Sequence, residues 1–164
     1  MKKLFVVGAL LAACGGGGKN VRPSGEVTTP EWVTQGTGAF ALEAGKQLHG
    51  VGSASAPDAK SRRQAADAAA QQQLAGGIEE VAKSLTKMSE SPQGDSVATM
   101  TRKAAAQVAA IRDHWVTPDG QEQSLDVLEL GAFKHALQSV DGDEKLKREM
   151  VSNAEKAFDS LIRQ

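Results

Sequence analysis

Between Pro57 and Ser89, apolar side chains recur at Ala66, Ala70, Leu74, Ile78, Val81, Leu85 and Met88, always three or four residues apart. That spacing keeps them on one face of an α-helix and predicts a single long helix opening at Pro57, where proline is tolerated in the first turn. Such a helix is roughly 50 Å long, and it must lay the roughly 33 Å of its stripe on an apolar surface. Gly76 and Gly77 interrupt the pattern, each costing about 1 kcal/mol relative to alanine. Because the stripe continues in phase across them, they predict an unbroken helix whose backbone packs close to a sheet.

The sheet comes from the flanking segments. Residues 38–55, GAFALEAGKQLHGVGSAS, read as two short strands turning about Ala44-Gly45. In Gly50-Val51-Gly52 the glycines weaken a strand interior, so they imply close backbone approach or a bulge. Residues 109–116 and 122–130 form a second hairpin, with Thr117-Pro118-Asp119-Gly120 as its turn: proline pre-sets one turn position and glycine is free to take positive φ. A three-residue loop there places Ile111 opposite Val127, and on that register Asp113 falls between Ile111 and Trp115 on one face. Val97, Met100, Ala104 and Val108 mark a shorter helix after the loop around Pro92 and Gly94. Gly131 to Val140 predict another, and Asp143 to Arg163 a final one with Leu146, Met150, Ala154, Ala157 and Leu161 inward. The expected class is α+β, a small antiparallel sheet of about four strands packed against a long helix, with further C-terminal helices.

The N-terminus has a different character. Lys2 and Lys3 precede an uncharged run from Leu4 to Ala13, the layout of a secretory signal. Ten residues make a helix of about 15 Å, too short to span a bilayer. Leu11-Ala12-Ala13-Cys14 resembles the lipobox of bacterial lipoproteins, in which the cysteine thiol takes a diacylglycerol, the peptide is cut before it and the new amine is acylated too. Cys14 is the single cysteine, so it has no partner for an internal disulfide. It is read as a lipid attachment point, with residues 1–13 a signal peptide. Residues 14–29, with four glycines and then Pro23, Ser24 and Gly25, form a flexible tether, and residues 30–164 form the domain.

Removing residues 1–13 takes two lysines and no acid, so the formal net charge falls from -1 to -3. A mildly acidic chain without a clustered basic run gives no support for nucleic-acid binding, and it lacks a polybasic stripe for anionic lipid. Aromatics are 4% of residues and tyrosine is absent. Alanine, leucine and valine must therefore fill the core, which predicts a shallow, helix-rich one.

Several of these stretches occur in a characteristic order: Pro30-Glu31-Trp32-Val33, Gly50-Val51-Gly52-Ser53-Ala54, and an alanine-rich helix with Arg62, Ala66, Ala70, Leu74-Ala75 and Ile78. Asp113-His114-Trp115-Val116, Pro118-Asp119-Gly120 and the strand Leu125 to Leu130 follow. Together with the lipobox, residues 30–130 resemble the LPP-twenty family of bacterial membrane-associated lipoproteins. The resemblance implies an α+β envelope domain, most simply at the outer membrane, held by its lipidated cysteine and offering no catalytic residues.

The remaining constellations point away from catalysis. His49, His114 and His135 are the three histidines; a zinc site on Asp113, His114 and His135 would need three segments to converge without any HxH or HxxxH spacing. No GxSxG occurs, and Gly50-Val51-Gly52 lacks the remaining features of a phosphate loop. Glu79 and Glu80 are adjacent, so on a helix they point about 100° apart and share no site. Trp32 and Trp115 are either buried anchors of the domain's edges or an exposed partner surface. The expectation is a non-enzymatic envelope module without metal or cofactor, bound to the membrane through its anchor and to another envelope protein. The alternative is a carrier or sensor of a small apolar ligand, which requires a sizeable apolar pocket under Leu74, Ile78 and Val81.

Overall fold

The computed structural model describes residues 28–89 and 94–162. Cys14, the signal segment, most of the tether and the Pro92 loop lie outside the described residues. In chain order the elements are α1 (Glu31–Gln35), β1 (Gly38–Leu42), β2 (Gly45–Ala54), α2 (Ala59–Met88), α3 (Gly94–Val108), β3 (Ala110–Val116), β4 (Glu122–Glu129), α4 (Leu130–Ser139) and α5 (Glu144–Asp159). The four strands form one antiparallel sheet in the order β1-β2-β4-β3, so the fold is α+β.

Helix α2 runs unbroken across Gly76 and Gly77. It starts two residues after Pro57, because Asp58 is the N-cap and its side chain accepts from Ser61 N at 2.8 Å. A cap of this type stabilises a helix by about 1 kcal/mol, and proline sits before it rather than in the first turn. Ala66, Ala70, Leu74, Val81 and Leu85 are buried as their spacing requires, Ile78 and Met88 partly so. Close approach to the sheet is achieved by glycines on both sides. A Cβ on Gly50 would overlap Ala70 O and lie 2.5 Å from Leu74 N; one on Gly52 would overlap the backbone of Ala66 and Ala70. A Cβ on Gly77 would lie 2.9 Å from Leu48 Cδ2, whereas Gly76 faces open space. Only Gly77 of the pair is therefore explained by packing.

On the α2 side of the sheet, Leu48 and Leu128 join Leu74, Val81 and Leu85 with the inward faces of α3, α4 and α5 in one apolar cluster. Phe133 of α4 and Phe158 of α5 meet inside it, ring centroids 5.9 Å apart. Helix α5 is capped by Asp143, which accepts from Leu146 N, and it ends at Asp159, short of the expected Arg163. Beyond it Ile162 forms a parallel bridge to Ala39, covering the β1 edge.

The second hairpin closes as its turn residues dictate. Gly120 N donates to Thr117 O at 2.9 Å, Gly120 takes φ 85°, and Thr117 N donates to Gln121 O. The register further along differs from expectation. Ile111 faces Asp126, and Ala110 faces Val127, because a bulge between Ile111 and Asp113 inserts one residue. The bulged Arg112 turns to Glu129, Nη2 to Oε1 at 2.9 Å. The extra residue moves Ile111 to the α2 side of the sheet and leaves Asp113 and Trp115 on the other, which resolves the awkward alternation.

Candidate functional site

Among the described residues, two regions of the sheet bring polar and apolar side chains together. The first is a seam between α2 and the even-numbered positions of β4. Glu122 is buried and meets Arg63 Nε at 3.1 Å and Arg62 Nε at 3.8 Å. One turn further along α2, Asp67 Oδ1 accepts from Ser124 Oγ at 2.5 Å and bonds His114 Nε2 at 2.7 Å. This Ser–Asp–His set has the wrong order for nucleophilic catalysis. The carboxylate sits between the hydroxyl and the imidazole, so Ser124 has no imidazole beside it to act as the base of a triad, and at 0% exposure it meets no substrate. The seam holds the helix to the sheet.

Asp126, next in the row, is buried with Oδ1 unpartnered among the described residues. Desolvation holds its carboxyl above the usual 3.8, the Asp67 charge adds to this, and the Val127 N–H opposes it. The native state then retains a proton that the unfolded chain has lost, so stability falls as pH rises from about 3.8 through the raised value. Asp126→Asn should raise the melting temperature by a few degrees at neutral pH, and the gain should vanish below about pH 4. Thermal unfolding at the two pH values checks this.

The second region lies on the opposite face of the sheet, which the helical core leaves open. The odd-numbered residues of β4, Leu125 and Val127, form a separate apolar cluster there with Trp32, Val51 and half-buried Trp115. The short α1 covers part of it. Trp32 is 9% exposed, pinned by its indole Nε1–H to Asp113 Oδ2 at 2.9 Å. It is therefore a buried anchor that carries α1 across the sheet. Beside it opens a cleft of about 430 Å³, floored by Leu125, Val127 and His49 and walled by Leu42 on β1 and Gln35 on α1. Arg112 and Glu129, paired with each other, stand at its side. Leu42 is 37% exposed, one of two large apolar side chains so open among the described residues.

His49 gives this floor a polar element that the sequence did not single out. It is 3% exposed, packs against Phe40 with the rings tilted and centroids 4.8 Å apart, and bonds Gln47 Oε1 through Nε2 at 2.9 Å. Burial lowers its pKa from 6.5, favouring the neutral ring. Since Gln47 Oε1 only accepts, Nε2 carries the proton, and Nδ1 is left as a buried acceptor without a partner among the described residues.

The other residues weighed from sequence do not converge. Asp113 and His114 are neighbours on β3 that point to opposite faces, one to Trp32 and the other to Asp67. His135 lies exposed on α4, and no group of three potential metal ligands occurs among the described residues. Leu74 and Val81 are closed into the helical core, while the cleft opens on the far side of the sheet. No described helix is long and apolar enough to cross a membrane. No family model matches the sequence, and no curated protein is significantly similar to it.

Proposed function

We propose that this is a bacterial cell-envelope lipoprotein, anchored through acylated Cys14, most simply in the outer membrane, that works by contact with another envelope protein rather than by catalysis. The reading keeps the LPP-twenty resemblance as its framework. The observation that carries it is the open face of the sheet. An apolar cleft of about 430 Å³ sits beside α1, the first element after the tether, while Asp67, Ser124 and His114 of the seam are engaged with one another, as are Arg63 and Glu122. A tether of about 16 residues has a root-mean-square reach of roughly 20–25 Å. Confinement of that kind raises the effective concentration of the domain near the membrane, so modest contacts suffice.

Site-specific photo-crosslinking in intact cells tests the reading. A photoreactive residue at Leu42, on the wall of the cleft, should give a discrete protein adduct, and one at exposed Gln72 on α2 should not. Equal adducts at both positions, or none at Leu42, would count against the cleft as the contact surface. A carrier of a small apolar ligand would give no protein adduct at Leu42.

A further inference from the structure

We propose that the cleft between α4 and α5 binds a phosphate group, either of a free phosphate compound or of an anionic lipid headgroup. The cleft has a volume of about 260 Å³, room for a phosphate with an organic substituent. Helix α4 contributes Lys134 and Gln138 and helix α5 contributes Arg148 and Ser152. Each helix thus supplies a cation and a neutral hydrogen-bonding side chain four residues apart, a spacing that puts both on one face. Lysine as a point charge and arginine as a planar fork are the usual pair for a phosphate, and a hydroxyl and an amide add neutral donors.

The charges in this cleft are not spent on one another. Lys147 is 9% exposed and held by Glu144 Oε1 at 2.5 Å and Gln138 O at 3.4 Å, so this lysine and Glu144 cancel. Lys134 and Arg148 have no acidic partner among the described residues. Most cations elsewhere do: Lys46, Arg62, Arg63, Lys83, Arg102, Arg112 and Lys145 each lie within 4.0 Å of a carboxylate. Nor do the side chains of Gln138 and Ser152 hydrogen-bond among the described residues. A chain of net charge -1 therefore concentrates two free cations and two free polar groups around one concavity. The sequence hides the arrangement, because Lys134 and Arg148 lie on different helices and never form a basic run.

The full chain carrying Cys14→Ser, held in a zwitterionic detergent, would be titrated with inorganic phosphate and followed by amide chemical shifts. In parallel it would be floated with vesicles of phosphatidylglycerol and phosphatidylcholine, or of phosphatidylcholine alone. The same measurements on Lys134→Gln/Arg148→Gln, both outward-facing positions, isolate the site. Saturable shifts around residues 134–152 that weaken about tenfold or more in the double variant support the phosphate site with free phosphate as sufficient ligand. Phosphatidylglycerol-dependent flotation that the double variant loses, without phosphate saturation, supports it with the headgroup as ligand. Binding unchanged in a double variant whose melting temperature is also unchanged would overturn it, as would absence of binding in both arms.

Discussion

Gly52→Val should lower the melting temperature by ten degrees or more, while Gly76→Ala in the same molecule should raise it slightly. The two glycines look alike in the sequence, each interrupting an otherwise regular element, yet their surroundings are opposite. A Cβ at Gly52 would overlap the main chain of Ala66 and Ala70 and stand 2.7 Å from the Ala69 carbonyl carbon. A clash with a flexible side chain is relieved by a rotamer change, but a clash with helical backbone moves the helix. Lifting α2 would open the apolar cluster that Leu74 shares with Leu48 and stretch the Asp67–Ser124 and Arg63–Glu122 bonds together. Overpacking commonly costs 1–3 kcal/mol, and this case exceeds about 3 because the obstacle is rigid and the valine adds two methyls beyond the Cβ. For a domain of this size that corresponds to roughly ten degrees. At Gly76 nothing lies within 4 Å, so alanine gains helix propensity of about 0.5–1 kcal/mol without a clash. Thermal unfolding followed by circular dichroism measures both, and a Gly52→Val protein that melts like the parent would refute the close packing of α2 on β2.

The same contact explains what was legible in the sequence and what was not. A stripe at three- and four-residue intervals is a local signal, and α2 followed it from Ala66 to Leu85. The turn at Thr117–Gly120 was equally local, written in one proline and one glycine. The bulge at Arg112 was not. It depends on Glu129, seventeen residues away, which draws the arginine to the open face while Ile111 stays with α2.

The orientation of β4 was hidden for a similar reason. Alternation along this strand puts Leu125 and Val127 on one face and Ser124 and Asp126 on the other, and simple patterning would turn the apolar face to the helix. The structure does the reverse, with Glu122, Ser124 and Asp126 beneath α2. Gly50 and Gly52 pair with Asp126 and Ser124, and they bring the helix backbone so low that short polar side chains fill the gap, Ser124 bonded to Asp67. The leucine and valine are then left for Trp32 and the open cleft. Trp32 was singled out in the sequence, but its partner Asp113 lies 81 residues away, and the cleft it borders draws on all four strands. Sites assembled from single residues of distant elements leave no spacing to read.

Cys14→Ser should abolish lipid attachment altogether. In the proposed reading, transfer of a diacylglyceryl group forms a thioether on Cys14, and a serine hydroxyl, with a far higher pKa and weaker nucleophilicity, does not replace the thiol as acceptor. Each buried methylene contributes about 0.8 kcal/mol to membrane binding; one chain holds marginally, and two or more hold stably. Losing them all removes the whole of that term, and among the described residues no spanning helix stands in for it. The variant should therefore take up no labelled fatty acid in growing cells, retain its unprocessed N-terminus or leave the membrane fraction, and keep its fold, since α1 begins seventeen residues further on. The Leu42 crosslink should weaken in parallel at matched protein abundance, because the tether no longer concentrates the cleft near its partner. Fatty-acid label retained by the serine variant would remove the anchor from the reading. A crosslink that persists at full strength without label would separate the two halves of the proposal, leaving a contact module whose affinity does not depend on the membrane.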